Sequence, residues 1–308
     1  MPAPLLIADV PWLLYRSFFG LPKSIVGSDG QPVNALLGTV NAILTFYDAR
    51  LLARRVDGVV ACMGAEQADY RVQLYPPYHA HRDPMPPELA AQWDKAPALL
   101  ASLGWTVATS AELEADDVMF SHARAEEQRG GRALLLTGDR DLYGAVTERA
   151  AVAELLKGGA HGEIGPAQVR ERYGVEPQQV PDFIALRGDP SDGLPGAPGI
   201  GAKTAAELLR EHGTLEALLS AAGADANAGD SDAAAVRASK TMRPRIAAAL
   251  RENAELLREF KQIATLQRID VQAPASRTTE YARGASMAAE LGMRRLAERL
   301  GAMAASDG

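Results

Sequence analysis

The chain has 308 residues, 47% of them hydrophobic and 23% charged, so it can bury one large core or two modest ones. Its single cysteine, Cys62, lies inside an apolar run, which excludes a disulfide framework and points to a reduced, buried thiol. The net charge of -7 decides little: 26 arginines outnumber 6 lysines, and an acidic total is also what a cluster of metal-binding carboxylates would give.

The first apolar run, Leu5 to Val10, carries Asp9 and has no basic region ahead of it, so it is predicted to be a strand and not a signal. No run approaches the ~18 apolar residues that span a bilayer, so a cytoplasmic protein with no membrane partner is expected. An amphipathic stretch over 33–55 follows, then a second strand over 58–63 that ends at Met63-Gly64. Residues 75–100 are rich in proline, aromatic and basic side chains before turning helical near Glu88; a long connection of this kind is either disordered or functional. WTVATS, DDVMFSHARAEEQ, ALLLTGD and VAELL then continue the alternation, which implies an α/β fold with a mostly parallel sheet and covering helices. Beyond residue 165 the texture becomes helical, interrupted by a low-complexity stretch over 224–240 that is expected to be a mobile loop. The last ten or so residues are expected to fray.

Ligands of such sheets gather beyond the carboxyl ends of the strands. Acids sit at three of these ends: Asp9; Glu114, Asp116 and Asp117; Asp139 and Asp141. Acids brought this close repel unless a cation lies among them, and hard oxygen ligands without a Cys/His cluster suit Mg2+ or Mn2+. Taken singly, each has a plainer reading, since Asp116 and Asp117 suit a helix's first turn and Asp139 suits a tight turn. A fourth acidic segment carries Asp189 and Asp192 just ahead of PGAPGIGAKTAAELL. There Gly199 and Gly201 let the backbone approach a phosphate, and the helix start at Lys203 and Thr204 presents outward amides. This is how a helix-hairpin-helix holds one DNA strand without reading bases.

Taken in order, ADVPWLLYRSFFGLP, LYPPYHAHR, ELEADDV, LLTGDRDL and GDPSDGLPGAPGIGAKTA resemble the flap endonuclease and 5′-nuclease family, including the 5′-nuclease domain of bacterial DNA polymerase I and its stand-alone relatives. The resemblance implies a PIN-like sheet with a helical arch at about 72–100 within residues 1–165, and a helical region over 166–308 whose hairpin lies at about 186–212. It implies a phosphodiesterase acting on 5′ ends and 5′ flaps of DNA in replication or repair, with two divalent ions and no covalent intermediate. One ion would be held by Asp9, Glu114 and Asp116, the other by Asp139, Asp141, Asp189 and Asp192, with Asp117 close to both. Arg16, Arg71 and Arg82 would contact phosphates, and Tyr15, Tyr70 and Tyr78 would line the entry of unpaired nucleotides. A K+ ion would sit on the carbonyls of Leu186, Arg187, Pro195, Ala197 and Ile200. A monomer in the cytoplasm, associated with the nucleoid, is expected, with no room for a polymerase region and no polymerase or ligase partner named.

Two positions depart from the family pattern. Gly64 stands where a first-ion aspartate is usual, and His79 where a lysine follows the arch tyrosine. On that basis an aspartate restored at 64 is expected to tighten metal binding, with Glu66 a substitute ligand. A catalytically weak protein that binds branched DNA is the alternative to an active nuclease. A ribonuclease of the wider PIN-like group would leave the hairpin segment unexplained.

Overall fold

The structure, a computed structural model, describes residues 3–46, 56–155, 161–223, 241–274 and 278–307. The stretch over 224–240 expected to be a mobile loop, and the last part of the helix expected over 33–55, lie outside these residues. Five parallel strands, β1 (Leu5–Asp9), β2 (Val59–Met63), β3 (Thr106–Thr109), β4 (Ala133–Leu136) and β5 (Ala150–Leu155), follow the expected runs. A sixth, β6 (His161–Ile164), pairs antiparallel with β5 and closes the order β3-β2-β1-β4-β5-β6. Its four residues are too few to show a periodicity, so the sequence does not announce it.

Both faces of the sheet are covered. Leu5 and Ile7 of β1, with Val60 and Cys62 of β2, point into one core, while Leu6, Ala8, Val59, Ala61 and Met63 point into the other, as the two-residue period of a strand requires. The first core receives α5 (Ala115–Gln128), α7 (Val180–Arg187), α8 (Ala202–His212), α9 (Leu215–Ala221), α10 (Pro244–Glu252) and α11 (Ala254–Ala264). The second receives α1 (Val10–Gly20), α2 (Asn34–Leu44), α4 (Pro87–Ser102) and a C-terminal hairpin of α12 (Tyr281–Glu290) and α13 (Arg294–Asp307). The last residues, expected to fray, belong to α13, which is anchored in that second core by the buried Leu296 and Leu300. Two short helices, α3 (Asp69–Leu74) and α6 (Pro166–Tyr173), flank the strand ends.

The stretch expected to form an arch divides in two. Leu89, Gln92, Ala96, Leu99 and Leu100 of α4 are buried, and Gln92 Oε1 accepts from the amides of Ala35 and Leu36, so most of the helix is seated on α2. The segment 75–86 before it, broken by its prolines, runs into the start of α4 at Pro86 and reaches the loop at 189–194, where His79 N donates to Asp192 O. Strand order reverses between β1 and β4, which leaves a crevice beyond their carboxyl ends. Asp9 and Asp139 flank it.

Candidate active site

Asp9 is the last residue of β1 and caps α1: its Oδ1 accepts from Trp12 N at 3.0 Å. Its Oδ2 accepts from the buried Thr137 hydroxyl at 2.7 Å, and the same hydroxyl oxygen accepts from Asp139 N at 2.9 Å. Thr137, which sequence reasoning missed, thus ties the ends of β1 and β4; its only signal was its place two residues before Asp139 in LLTGDRD. Asp139 Oδ1 in turn accepts from Asp141 N at 2.9 Å, which folds the chain back so that both carboxylates stay at the crevice. Asp116 comes from the first turn of α5.

The charges of these acids act on one another. Burial, with added repulsion from Asp139, pushes Asp9 up to about 6 despite its two hydrogen bonds. Burial and then the charges of Asp139 and Asp9 push Asp116 well above the carboxylate range. Burial and then Asp139, Asp192 and Asp189 do the same to Asp141. Asp139, raised by burial and by Asp192 and Asp189, is in turn a charge felt by Asp9, Asp116 and Asp141. Carboxylates that desolvate and repel one another are a donor set suited to a hard divalent cation. Among the described residues no three His, Cys, Asp or Glu side chains are placed to hold a metal ion by themselves. Mg2+ keeps several waters and is often held by one or two carboxylates plus substrate phosphate, which an open cluster of this kind accommodates.

Two further acids of the expected set have protein partners of their own. Glu114, whose charge also acts on Asp116, is held by three partners: Oε1 accepts from Ala68 N at 2.9 Å, and its carboxylate receives the Tyr78 hydroxyl and Arg71 Nη1, the latter at 3.1 Å. Asp117, with no exposed surface, faces Arg71 Nη2 at 2.9 Å and Gln267 N at 2.7 Å, because consecutive residues on a helix point about 100° apart. Arg71 itself is 4% exposed and also donates to the Ile263 carbonyl, so it is an internal brace and cannot meet a phosphate where it stands. Tyr78 is buried too, stacked on His79 with ring centroids 3.8 Å apart.

Gly64 is filled space and not a vacant ligand position. A β-carbon there would lie 2.5 Å from Ala115 N, from the Glu114 carbonyl carbon and from Leu113 O. Ala65 N donates to Leu113 O at 3.0 Å, so the end of β2 is hydrogen-bonded to the approach of α5 at a distance that no side chain allows. Glu66 is exposed and holds the Tyr15 hydroxyl at 3.1 Å. Burial and then the Glu66 charge push Tyr15 up to about 12.

On the opposite wall, Asp189 accepts Arg187 Nη2 at 2.8 Å and Ser191 N at 2.9 Å, while Asp192 Oδ1 meets His79 Nε2 at 3.1 Å and Arg82 Nη2 at 3.0 Å. Arg82 and Arg16 are exposed; Arg16 lies over the Trp12 ring at 5.7 Å. Tyr70 is partly buried under the Arg71 guanidinium, 5.2 Å from its ring centre.

The turn between α7 and α8 is tight. Ala197 N donates to Leu186 O, Ile200 N donates to Ala197 O, and a β-carbon on Gly196 (φ +69°) would strike the backbone of Gly188 and Leu186. Gly199 (φ +79°) and Gly201 have open space where a β-carbon would stand. Lys203 is exposed, Thr204 is partly so, and no side chain caps the start of α8.

Comparison with known proteins matches both halves of the chain. The family described as 5′-3′ exonuclease, N-terminal resolvase-like domain, matches residues 4–174, and the 5′-3′ exonuclease, C-terminal SAM fold, matches residues 175–284. A 5′-3′ exonuclease of Mycobacterium tuberculosis is 36% identical over 243 residues, covering 72% of this chain and 74% of the relative. One from Streptomyces coelicolor is 40% identical over 232 residues, covering 70% and 74%. DNA polymerase I of Mycobacterium bovis is 37% identical over 217 residues, which is 70% of this chain and 24% of that protein. Among solved structures, T5 5′-exonuclease with bound zinc ions aligns at TM-score 0.61 and 17% identity, covering 98% of both chains. The catalytic core of Rad2 in complex with DNA substrate aligns at 0.56 and 12%, covering 97% of this chain and 93% of that one. These two share its fold. With both family domains present in order and relatives at this identity, the chain belongs to the 5′-3′ exonuclease family of nucleases.

Proposed function

We propose that the protein hydrolyses phosphodiester bonds at 5′ ends and 5′ flaps of DNA, using two divalent cations, Mg2+ or Mn2+. The observation that carries this is the cluster of Asp9, Asp116, Asp139, Asp141, Asp189 and Asp192 at the strand ends, where the acids of β1, α5 and β4 raise one another. Asp9, Asp116 and Asp139 would hold one ion, and Asp139, Asp141, Asp189 and Asp192 the other. When bound, the ions supply charge compensation at the scissile phosphate and favour deprotonation of the attacking water.

The chain's own residues do the rest. Thr137 keeps Asp9 and Asp139 at one crevice. Arg82 and Arg16, exposed at the rim, offer cations to the phosphates on either side of the bond. The turn around Gly199 and Gly201, with Lys203 and Thr204 at the start of α8, receives a duplex strand through backbone amides and so reads shape, not sequence. A K+ ion on the carbonyls of Leu186, Arg187, Pro195, Ala197 and Ile200 would bridge that turn to a phosphate, those of Leu186 and Ala197 each keeping a lone pair beyond the amide they accept. The T5 flap endonuclease whose fold is shared was solved with DNA and metal ions, which supports this reading. A monomer working on DNA at the nucleoid, in the cytoplasm, follows from it, and among the described residues no helix is long and apolar enough to cross a membrane.

The test is incubation with a labelled 5′-flap DNA duplex and its all-RNA counterpart, in Mn2+, in Mg2+ and in EDTA. Cutting of the DNA flap that needs the metal and disappears in Asp139→Ala is expected. Tight binding of the flap with no cutting in either metal would replace the nuclease by a branched-DNA-binding protein.

A further inference from the structure

One residue fastens the start of the 75–86 segment to the turn that carries Asp192, and the chemistry above leaves it unused. His79 Nε2 lies 3.1 Å from Asp192 Oδ1, and its backbone amide donates to the Asp192 carbonyl at 3.2 Å, so it grips the aspartate at both ends. Arg82 Nη2 reaches the same Oδ1 at 3.0 Å and the Ser191 carbonyl at 3.3 Å. His79 is 7% exposed, and its imidazole stacks on Tyr78, whose carbonyl accepts from Gln67 Nε2 at 2.7 Å. His79 is the one non-glycine residue with a positive φ, +57°, among those described. A left-handed ring-bearing residue persists only where its surroundings over-determine it, and such strain gathers at working sites. Its Nδ1 is buried with no partner, which favours the tautomer whose proton sits on Nε2 and points at Asp192. A lysine here would bring a mobile point charge; the histidine brings a fixed direction.

We propose that His79 is a positioning residue for Asp192, and that it couples the 75–86 segment to loading of the second cation. This rests on Asp192 being a ligand of that ion. Its Oδ1 is taken by the imidazole and the guanidinium, while Oδ2 has no hydrogen-bond partner among the described residues. The carboxylate is near enough for its charge to act on Asp139 and Asp141. A hydrogen-bonding residue behind a ligand fixes its orientation, and loss of such a partner costs about 10–100-fold in metal affinity. Arg82 acts in the opposite sense: a full positive charge on Oδ1 competes with a cation on Oδ2, and its side chain, 47% exposed, is free to leave for a substrate phosphate. Coupling is reciprocal, so an ion that steadies Asp192 also steadies residues 77–82.

The full chain without DNA tests this, with Mn2+ binding followed by electron paramagnetic resonance and hydrogen exchange of the 75–86 segment measured with and without Mn2+. His79→Ala is expected to weaken the weaker Mn2+ site about tenfold and to abolish Mn2+-induced protection of 77–82. His79→Gln, whose amide can still donate, is expected to keep most of both, and Arg82→Gln to bind Mn2+ at least as tightly as the parent. Parental affinity and protection in His79→Ala overturn the proposal. If that variant does not fold, the proposal falls when Arg82→Gln loses affinity, or when Asp192→Asn leaves the Mn2+-induced protection intact. A parent that shows the coupling but cuts no flap would remove the proposed nuclease activity and leave the coupling standing. A parent that binds no Mn2+ removes both.

Discussion

A β-carbon on Gly64 would press on three backbone atoms of residues 113–115, none of which belongs to a flexible side chain. Gly64→Ala and Gly64→Asp are therefore expected to cost about the same, roughly 1–3 kcal/mol of stability, and neither should tighten Mn2+ binding. Urea unfolding and a Mn2+ titration of both variants check this; a gain in Mn2+ affinity confined to the aspartate would restore the lost-ligand reading. The acids were legible because a strand end announces itself, whereas a contact between two backbones leaves no mark on one sequence. Thr137 and the anchoring of Glu114 were hidden for a related reason, since their partners lie 128 and 46 residues away. His122 belongs with them. Burial, with a small addition from Arg129, lowers it to about 4 from its ordinary 6.5. Its folded pKa lies below its unfolded one, so between pH 6.5 and 4 the unfolded chain takes up a proton that the folded one refuses. Stability then falls as pH falls, by at most about 1.4 kcal/mol per pH unit. His122→Leu should flatten that part of the stability-against-pH curve measured by urea unfolding, and an unchanged slope would place the proton uptake elsewhere.

Helix α4 is anchored by a face of its own within the stretch expected to form the arch. Its start near Glu88 follows from the prolines before it, and the apolar positions Leu89, Ala96, Leu99 and Leu100 are a docking face for the second core. The seat is polar as well: Gln92 Oε1 accepts from Ala35 N at 2.8 Å and Leu36 N at 3.3 Å, and its Nε2 donates to Asn34 Oδ1 at 3.2 Å and the Glu88 carbonyl at 3.1 Å. It thereby caps α2, whose own cap residue, Val33, has no side-chain acceptor. Gln92→Met keeps the volume and removes the acceptor, leaving buried first-turn amides unpaired at a cost of about 1–3 kcal/mol. The loss should appear in thermal unfolding and as faster hydrogen exchange at Ala35 and Leu36. Unchanged exchange there would mean that α2 is held by its apolar face alone. The helix α1 and the two ends of the α7–α8 hairpin were legible by contrast, since caps, prolines and glycines mark them locally.

At the scale of the molecule, the helical second half is not appended to the sheet but closed over it, and Arg71 is the fastening. Its guanidinium joins Glu114 and Asp117 at the start of α5 to the Ile263 carbonyl at the end of α11, while Asp117 also accepts from Gln267 N. The two carboxylates would repel in a buried space, and the arginine offsets that repulsion; burial raises Asp117, with Arg71 pulling the other way. Nothing in the sequence near ADYRVQ foretold a partner 192 residues away, and the family resemblance implied a DNA phosphate as the partner of this arginine. Arg71→Ala leaves two buried charges without a counterion and frees the carbonyl of α11, a change that costs about 3–5 kcal/mol. Arg71→Lys recovers only part, because one ammonium cannot reach three acceptors in the plane of a guanidinium. Removing a repelling charge as well should soften the loss, so Arg71→Ala with Asp117→Asn is expected to be more stable than Arg71→Ala alone. Urea unfolding of the parent, the two single variants and the double variant gives that interaction energy directly. If instead Arg71→Ala keeps parental stability and only weakens binding of flap DNA, the side chain leaves its buried site to meet the substrate, and the fastening between the two halves lies elsewhere.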